Sequence, residues 1–433
     1  MKEVGVGIIG FGTVGAGVAE GLLKGAELIA RRCGVSVALR GIADLDVTTD
    51  RGVAVPKALL STDALALVAR PDIQVVVELI GGTGIAHTVV RAALEAGKSV
   101  VTANKKLLAE KGAELFALAR EKGVDLYFGA SVGGGIPIIR SLRDGLVANE
   151  IRAVYGILNG TCNYILTRMA REGSGFDAVL ADAQRLGYAE ANPSLDIDGH
   201  DTAHKICILA SLAYGVSVPL DGVQVEGIRG LDPVDVHYAD ELGYAIKLLA
   251  VCKAHGDKLE VRVNPTLVPK THPLASVNDV FNAVLVDGSM TGDTLYYGKG
   301  AGRAATASAV ISDIVSVARH VAAGVPREAE PLPPMAEGQS LLAPEDCESR
   351  FYIRLMVREA CGMVGRFATI LGDHGVSIFA ASQHEATDAQ RAAGYVPVVI
   401  LTQPARAGDL RAALTEITAQ GIVQSMPLQM CML

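Results

Sequence analysis

The 433-residue chain contains no tryptophan, and only 4% of its residues are aromatic. It also lacks a long apolar run: its two longest stretches without a charged side chain, residues 4–19 and 417–433, are broken by glycine or by proline and polar residues. A helix that spans a bilayer needs about 20 apolar residues, so neither stretch predicts a membrane segment. Only Lys2 and Glu3 follow the initial methionine before the first stretch, which does not resemble a signal peptide. We therefore expect a cytoplasmic protein with no membrane partner.

Clusters of basic residues and paired cysteines are also missing. The 39 lysines and arginines form no basic run and are outnumbered by 47 aspartates and glutamates, which gives a net charge of -8. This balance argues against a nucleic-acid partner. The seven cysteines are scattered and contain no Cys-x-x-Cys pair, so we expect reduced, buried thiols and no disulfide or metal framework.

The length and composition predict two or three well-packed domains, since half of the residues are hydrophobic and 20% are charged. The first 130 residues alternate helical stretches with short β-branched runs at 4–9, 35–42, 74–80, 99–102 and 124–128. This βαβ pattern indicates a doubly wound parallel sheet of the α/β class. Residues 131–299 mix long helices with short strands and predict an α+β domain.

A linker is expected at residues 325–348, where five prolines and six acidic residues leave no room for a long regular element. The segments that follow read strand, helix, strand, strand, helix, strand, at 351–357, 364–374, 376–384, 396–402, 409–418 and 422–426. That order is ferredoxin-like and predicts a third domain at residues 349–433.

A glycine-rich loop follows the first predicted strand and consists of Gly10, Phe11, Gly12, Thr13, Val14 and Gly15. Between a strand and a helix, this G-x-G-x-x-G spacing allows a pyrophosphate to approach the backbone at the positive end of the helix. Asp44, at the end of the second strand, would bind a ribose 2′-hydroxyl and repel a 2′-phosphate. Arg40 and Arg51 are close enough in sequence to bind such a phosphate instead, so both NAD and NADP stay open, with NAD favoured.

Asp201 and Lys205 are four residues apart and share one face of a predicted helix. A surface ion pair is one interpretation. The same face continues to the apolar Ile208, Leu209 and Leu212, however, which directs the lysine along an apolar stripe. A partly buried lysine beside a carboxylate is suited to passing a proton.

His200 and His204 have the spacing of the zinc motif H-E-x-x-H, but an aspartate replaces the glutamate and no third ligand stands at a recognisable spacing. We therefore do not expect a zinc hydrolase.

The segment 183–205 resembles the signature of homoserine dehydrogenases at Ala183, Gly187, Asn192, Pro193, Asp196, Ile197, Gly199, Asp201 and Lys205. The glycine loop and the segments 102–105, 131–137, 159–164 and 298–302, with Thr306, are similar to the family as well. The last 80 or so residues resemble the ACT regulatory domain that many bacterial members carry. The resemblance thus covers nearly the whole chain.

The resemblance implies a reversible, NAD(P)H-dependent reduction of L-aspartate 4-semialdehyde to L-homoserine, in the biosynthesis of threonine, methionine and isoleucine. It implies a Rossmann-like dinucleotide-binding domain at 1–130, completed by about 300–324, and a substrate and dimerisation domain at 131–299. The chain is then expected to form a homodimer or homotetramer.

The resemblance also assigns roles to single residues. Lys205 would donate the proton, Asp201 would position it or the substrate, and Lys105 would be a second cation near the nicotinamide. Glu190 and Asp196 would hold the amino and hydroxyl ends of the substrate. Further substrate residues would be Tyr188, Gly160 and Thr161. Beyond the glycine loop and Asp44, cofactor contacts would come from Gly81, Thr102, Lys105 and Gly302.

Two departures from the family pattern bear on ligands. The family often binds sodium through backbone carbonyls, here Val132, Gly134 and Ile136, together with an upstream acid, but Gly129 stands at the acid's position. ACT domains usually begin their first helix through an Asp-x-Pro-Gly-like step, and residues 359–362 read Glu-Ala-Cys-Gly without the proline. The first departure makes a sodium ion doubtful. Inhibition by threonine is still expected from the resemblance, although the proline of the usual turn is missing.

Two other functions are compatible with parts of the sequence. Cys162 could be the nucleophile of an acylating aldehyde dehydrogenase, although no partner histidine is evident nearby. Alternatively, the chain could be a non-catalytic sensor that binds a nicotinamide cofactor and an amino acid. Turnover of homoserine with NAD or NADP separates the enzyme from the sensor.

Overall fold

The computed structural model describes residues 2–325 and 340–433. The chain divides into two compact units, each assembled from three separate stretches. The first unit comprises Met1–Gly160, Asp201–Val223 and Val280–Gly338, and the second comprises Thr161–His200, Gln224–Asp279 and Gln339–Leu433.

The β-strands of the described residues are, in chain order, β1 (Glu3–Ile9), β2 (Ser36–Ala43), β3 (Leu60–Ser61), β4 (Val75–Glu78), β5 (Ser99–Thr102), β6 (Leu126–Tyr127), β7 (Ile151–Ile157), β8 (Gln224–Val225), β9 (Tyr244–His255), β10 (Lys258–Pro269), β11 (Phe281–Gly288), β12 (Gly292–Lys299), β13 (Ser340–Leu341), β14 (Glu348–Arg358), β15 (Ile378–Gln383), β16 (Tyr395–Thr402), β17 (Ala405–Arg406) and β18 (Leu428–Met432).

The α-helices are α1 (Thr13–Cys33), α2 (Ala64–Ala69), α3 (Ile85–Glu95), α4 (Lys105–Lys122), α5 (Ile138–Arg140), α6 (Gly160–Glu172), α7 (Phe176–Arg185), α8 (Ser194–Ile197), α9 (His200–Tyr214), α10 (Pro233–Glu241), α11 (Arg303–Ala323), α12 (Met363–Asp373), α13 (Asp388–Ala393) and α14 (Ala407–Ala419).

A six-stranded parallel sheet forms the core of the first unit, with the order β3-β2-β1-β4-β5-β6. Its central strands are runs of valine and isoleucine that are buried on both faces, as expected of a sheet covered by helices. The chain reverses direction across the sheet between β1 and β4, so a crevice opens at the carboxyl ends of these two strands. The prediction of an α/β fold with an N-terminal Rossmann-like sheet is confirmed.

Helices α1 and α11 lie together against this sheet. Val310, Ile314 and Val317 of α11 belong to the same hydrophobic core as β1 and α1, although nearly 300 residues separate them in sequence. The first unit also contains the antiparallel strands β7, β11 and β12, with β11 in the middle.

The second unit is built on a long antiparallel hairpin of β9 and β10, twelve residues each. The expectation of short strands in this region was wrong. Residues 246–252 form an apolar run broken only by Lys247, and such a run is compatible with either a helix or a strand until its partner is known. Here both strands are buried over most of their length.

The C-terminal segment contains the elements β14, α12, β15, β16, α14 and β18 in the predicted order. Their strands lie side by side as β18-β14-β16-β15, all antiparallel, and α12 and α14 pack against one face. The last strand was misplaced: residues 422–426 contribute only a bridge between Val423 and Val357, and β18 begins after Pro427. Ile422 and Val423 are buried apolar residues of the core under the helices, which explains their strand-like sequence. Helix α13 was not predicted.

Most of the predicted linker, residues 326–339, lies outside the described residues. Of the rest, residues 340–348 contain the two-residue strand β13 and one 3-10 turn at Pro344–Asp346 before β14 begins. Among the described residues, no helix combines the length and the apolar character that crossing a bilayer requires.

Candidate functional site

A cavity of about 270 Å³ lies in the first unit at the carboxyl ends of β1, β4 and β5. Its walls come from six separate segments of the chain, and the lining residues are Val14, Leu79, Ile80, Gly81, Ala103, Asn104, Lys105, Ala130, Ser131, Gly133, Gly134, Lys205, Gly300, Ala301 and Thr306. This is the crevice at which a doubly wound sheet binds its ligand. Lys105 and Lys205 are the cationic side chains in its wall.

The glycine loop has the geometry that a dinucleotide requires. Gly10 has a φ of 103°, and a Cβ there would lie 2.6 Å from the carbonyl carbon of Leu79. A Cβ on Gly12 would meet nothing within 4 Å, so this glycine leaves open space for a ligand, and a Cβ on Gly15 would collide with the carbonyl oxygen of Gly10. Helix α1 begins at Thr13 and directs its amino-terminal N–H groups toward the same space. The residues therefore fit a bound pyrophosphate.

Asp201 joins the two lysines of the cavity. Its Oδ2 atom lies 2.7 Å from Nζ of Lys205, and its Oδ1 atom lies 2.6 Å from Nζ of Lys105. Only 4% of the Asp201 side chain is exposed, compared with 10% for Lys205 and 34% for Lys105. The alternative of a surface ion pair is thus wrong, because the Asp201–Lys205 pair is buried.

The end of β7 supports this cluster. The carbonyl oxygen of Leu158 accepts a hydrogen bond of 2.5 Å from Nζ of Lys205, and Asn159 donates from Nδ2 to Oδ2 of Asp201 at 2.9 Å. Burial by itself would raise the pKa of Asp201, but the adjacent ammonium groups of Lys205 and Lys105 outweigh it and hold this pKa well below its usual range. Asp201 is therefore an anion at neutral pH.

His204 lies one turn after Asp201 on α9 and is buried, whereas His200 is exposed. Burial lowers the pKa of His204, and this effect is opposed by Asp201 and supported by Lys105. No group of three or more side chains that could hold a metal ion is found within residues 2–325 and 340–433.

Asp44 contacts the glycine loop directly. Its Oδ2 atom accepts a hydrogen bond from the backbone N–H of Phe11, and its Oδ1 atom accepts one from Asp46. The carboxylate thus holds the loop in place as well as carrying negative charge beside it. Each nearby arginine is paired with an acid: Arg51 with Asp46, and Arg40 with Glu3.

Three further predicted cofactor residues have different surroundings. Gly81 lines the cavity and has a φ of 84°. Gly302 precedes α11 with a φ of 110°, next to the lining residues Gly300 and Ala301. Thr102 is completely buried, and its hydroxyl is bonded within the protein, so its contribution to a ligand is indirect.

Comparisons with known proteins agree with this arrangement. A family model for the homoserine dehydrogenase NAD-binding domain matches residues 10–129, and a homoserine dehydrogenase model matches residues 137–315. A homoserine dehydrogenase of Neisseria gonorrhoeae is 45% identical over 98% of this chain and 97% of its own length. The chain belongs to the homoserine dehydrogenase family. It is accordingly an NAD(P)-dependent oxidoreductase.

Solved structures of homoserine dehydrogenases share the fold. One from Thiobacillus denitrificans superposes with a TM-score of 0.94 at 41% identity and covers 100% of this chain and 99% of its own. A hyperthermophilic archaeal homoserine dehydrogenase in complex with NADPH has a TM-score of 0.61 at 28% identity, over 75% of this chain and 99% of its own.

The predicted substrate residues of this homoserine dehydrogenase, apart from Gly160, belong to the second unit. There Thr161 donates a hydrogen bond from Oγ1 to the carbonyl oxygen of Tyr188 at 2.7 Å, and the Tyr188 ring packs against the Tyr164 ring at a tilt of 51°, with centroids 4.9 Å apart. Glu190 is exposed and Asp196 is partly exposed. Gly160, in the first unit, has a backbone so close to Val280 that a Cβ would lie 2.8 Å from its carbonyl oxygen.

Cys162 is fully buried, and its thiol donates to the carbonyl oxygen of Asp196 at 3.2 Å. A nucleophilic cysteine needs a partly exposed thiol that is readily ionised. The membership of the family and this burial both argue against the acylating mechanism.

The predicted sodium ligands Val132, Gly134 and Ile136 form a buried loop. Gly129 has no side chain to act as the acidic ligand, and a Cβ added there would lie only 2.8 Å from Oδ1 of Asp313 on α11. This carboxylate accepts a 2.6 Å hydrogen bond from the Gly129 N–H. Burial raises the pKa of Asp313 to about 6, against the opposing effects of that bond and of nearby arginines. The carboxylate of Asp313 thus lies near residue 129, and the nearby Arg143 and Arg140 of the protein supply positive charge.

The sequence did not identify Leu158, Asn159 and Glu78 as functional residues. Leu158 contacts Lys205 through its carbonyl oxygen and Asn159 contacts Asp201 through its side-chain amide, and a carbonyl gives no signal in a sequence. Glu78 does give one: it is an acid at the end of the buried strand Val75–Glu78, where a charge requires compensation.

Proposed function

We propose that Lys205 donates the proton and that Lys105 and Asp201 position it when this homoserine dehydrogenase reduces L-aspartate 4-semialdehyde to L-homoserine. The observation that carries the proposal is the Asp201 carboxylate bound between two ammonium groups, both of which line the cavity beside the glycine loop. When bound, the nicotinamide cofactor supplies or accepts the hydride at the substrate carbon.

The charges of the cluster suit this reaction. As the aldehyde oxygen gains electrons it becomes an alkoxide, which an adjacent ammonium group stabilises and then neutralises by giving up one proton. The lysine left neutral is reprotonated from solvent before the next turnover. In the oxidation of homoserine, the same neutral lysine accepts the proton of the hydroxyl.

Asp201 influences how readily Lys205 gives up its proton. Burial disfavours the charged form of a lysine, and the carboxylate favours it, so the two effects are opposed at Lys205. Because the carbonyl oxygen of Leu158 also holds the Lys205 Nζ, the ammonium group is restricted in direction. This restriction reduces the entropy cost of bringing the proton to the substrate oxygen.

The test of the activity is direct. Purified protein incubated with L-homoserine and either NAD or NADP should produce absorbance at the band of the reduced nicotinamide, and L-aspartate 4-semialdehyde with NADH or NADPH should reverse it. Absence of turnover with both cofactors in both directions would contradict the assignment and favour the non-catalytic sensor.

For the substrate, we propose that Glu190 and Asp196 bind its amino and hydroxyl ends, with Tyr188, Gly160 and Thr161 completing the site. The support for these roles is the match to the family signature alone. Glu190→Gln and Asp196→Asn should each raise the KM for homoserine while leaving the Kd for NADH unchanged, and Glu172→Gln, a surface glutamate of α6, is the matched control.

NAD is the cofactor that we propose this chain prefers. Asp44 and Asp46 place negative charge at the end of β2, and Arg40 and Arg51 are each paired with an acid, which makes them less available to a 2′-phosphate. A higher kcat/KM with NAD than with NADP is the expected result, and the reverse preference would overturn this proposal. We further propose that the activity does not require sodium, so replacing sodium chloride by potassium chloride at equal ionic strength should leave kcat unchanged.

The segment from β14 to β18 is proposed to be a ferredoxin-like ACT domain that binds threonine. Its support is the strand order β18-β14-β16-β15 with two helices on one face, and Gly362, which precedes α12 with a φ of 84°. Threonine at millimolar concentration should inhibit the forward reaction, and Gly362→Val should weaken this inhibition more than it changes kcat. Inhibition that is absent, or unaffected by the variant, would contradict the proposal.

The chain is proposed to form a homodimer or homotetramer, as the family resemblance implies. Within the second unit, β18 is already paired with β10, so the outer strand of the segment is β15. Light scattering during size-exclusion chromatography measures the mass, and a monomer at micromolar concentration would contradict this proposal.

A further inference from the structure

Glu78 is the last residue of β4 and has no exposed surface. An ionised carboxylate in such a place is costly unless several donors compensate for the lost water. The crevice of the first unit opens directly after this residue, since the next residues, Leu79, Ile80 and Gly81, line the cavity. Glu78 is therefore a buried acid directly beside the cavity wall, and its carboxylate requires hydrogen-bond donors there.

Both carboxylate oxygens of Glu78 accept hydrogen bonds. Oε1 accepts from the backbone N–H of Ile80 at 2.8 Å and of Gly81 at 3.1 Å. Oε2 accepts from Oγ1 of Thr102 at 2.6 Å, on the neighbouring strand β5, where Thr102 is the register partner of Glu78. One side chain thus ties the loop after β4 to the end of β5.

The hydrogen bonds continue from Thr102 to the start of α4. Oγ1 of Thr102 accepts from the backbone N–H of Asn104 at 3.0 Å. Asn104 then donates from Nδ2 to the carbonyl oxygen of Gly82 at 2.7 Å, and its Oδ1 caps α4 by accepting from Leu107 at 3.1 Å. The bonds form a closed ring that runs from Glu78 through Thr102 and Asn104 to Gly82 and back along the loop.

This ring of hydrogen bonds holds the amino-terminal end of α4, the helix that carries Lys105. Lys105 is the first residue of α4, directly after Asn104, and its Nζ lies 2.6 Å from Asp201. Gly81 and Gly82, on the other side of the ring, have φ values of 84° and 69°. A glycine in an unfolded chain visits such positive φ values only part of the time, so the loop loses conformational entropy when it is held in this form. A shift at the ring would move both the cavity wall and the lysine.

We infer that Glu78 is a positioning residue, which holds the loop Leu79–Gly82 as one wall of the cofactor cavity and sets the direction of Lys105 through Thr102 and Asn104. The inference rests on the role proposed above for Lys105. It gives the buried acid a function in cofactor binding and proton transfer, without contact with the substrate.

Three substitutions test the ring. Glu78→Gln can keep its single oxygen against the loop N–H groups, but it then places an amide nitrogen, which cannot accept, against the Thr102 hydroxyl. Thr102→Val removes the hydroxyl at nearly constant volume, and Thr102→Ser retains it. Glu95→Gln, the same change at an exposed glutamate of α3, is the matched control.

We expect Glu78→Gln and Thr102→Val each to weaken NADH binding by about tenfold or more, the effect of ~1.4 kcal/mol, as measured by quenching of nicotinamide fluorescence. NADPH is measured in parallel. The pH profile of kcat should shift in both variants, because the surroundings of Lys105 change. Glu95→Gln should behave as the parent, and Thr102→Ser, which restores the hydroxyl, should recover most of the NADH affinity that Thr102→Val loses. The double variant Glu78→Gln/Thr102→Val should lose less than the product of the single effects.

The inference is overturned if both single variants keep the parent's NADH affinity and pH profile. It is also overturned if their losses are additive, or if activity falls only in proportion to the fraction unfolded in thermal denaturation. Should Glu78→Gln fail to fold, Thr102→Val and Thr102→Ser decide the matter. Failure of the parent to turn over homoserine would instead refute the proposed roles in catalysis, and the NADH affinities would still test whether Glu78 shapes the cavity.

Discussion

Lys105 and Asp201 lie in the first turns of two different helices, α4 and α9, and meet through a 2.6 Å contact between Nζ and Oδ1. A cation at the amino-terminal end of a helix is opposed by the helix dipole, whereas an anion there is favoured. The Asp201 carboxylate therefore stabilises the Lys105 ammonium group, which the dipole of its own helix α4 does not. The same carboxylate also holds Lys205, so the two lysines share one counter-ion.

Loss of the shared carboxylate should affect stability and proton transfer together. Asp201→Asn leaves two ammonium groups beside a neutral amide, and removing one partner of a buried ion pair costs about 3–5 kcal/mol. Because the pKa of Asp201 lies below its usual range, its contribution is present above the ordinary aspartate pKa and is lost only as the solution becomes more acidic. We expect a lower melting temperature at pH 7.

The kinetic consequence of Asp201→Asn follows from the same charges. Without the anion, no carboxylate favours the charged form of the buried Lys205, so the basic limb of the kcat profile should move to lower pH. Asp72→Asn, which breaks an exposed pair with Arg70, is the control and should change neither measurement greatly. An unchanged melting temperature and pH profile in Asp201→Asn would refute the role of shared counter-ion.

Substitution of the two lysines distinguishes the proton donor from its neighbour. Removing a general acid typically lowers kcat by ~10²–10⁴-fold, and we expect this loss for Lys205→Ala. Lys105→Ala should mainly raise the KM values, with a smaller effect on kcat. Lys111→Ala, at an exposed lysine of α4, serves as the control.

Chemical rescue makes this comparison sharper. A small alkylammonium ion added to Lys205→Ala should restore part of its kcat, in proportion to the protonated fraction of the amine. Rescue of Lys105→Ala alone would reverse the two roles.

The local features of the site follow from the sequence because they depend on neighbours in the chain. The glycine loop connects β1 to the first turn of α1 as its spacing indicates, and β5 occupies the predicted residues 99–102. Asp201 and Lys205 form an ion pair because one helical turn joins them. In each case the information lies within a few residues.

The contacts that complete the site could not be predicted in this way. Lys105 meets Asp201, and Glu78 meets Thr102, only after the parallel strands and two helices are in place. Ile422 and Val423 show the converse: their apolar character predicted a strand, but they are buried under helices, and Pro427 delays the last strand until Leu428. Apolar sequence reports burial more reliably than it reports the element that is buried.

Cys162 offers a test of the acylating mechanism. Cys162→Ser keeps a donor for the carbonyl oxygen of Asp196, and we expect kcat to change by less than tenfold, that is by less than ~1.4 kcal/mol in the barrier. Cys207→Ser is the matched control, since this buried thiol of α9 has its pKa raised to about 12 by burial. Complete loss of turnover in Cys162→Ser alone would support a covalent mechanism.

Asp313 predicts an unusual dependence of stability on pH. Its carboxyl has a pKa of about 6 in the folded chain, above the ordinary aspartate value, so the folded state binds the additional proton between these two values. The free energy of unfolding therefore falls as the pH rises from 4 to 6, by at most about 3 kcal/mol. Screening by solvent makes this decrease smaller. Above pH 6 the loss is constant.

Replacing Asp313 by asparagine removes this loss and keeps an oxygen for the Gly129 N–H. We expect Asp313→Asn to have a higher melting temperature than the parent at pH 7.5 and nearly the same one at pH 4, while Asp293→Asn, at an exposed aspartate of β12, shifts neither. Equal gains at both pH values would mean that packing, not ionisation, causes the change. A lower melting temperature at pH 7.5 would mean that the charged carboxylate stabilises the fold, as it would if a cation held it in place near residue 129.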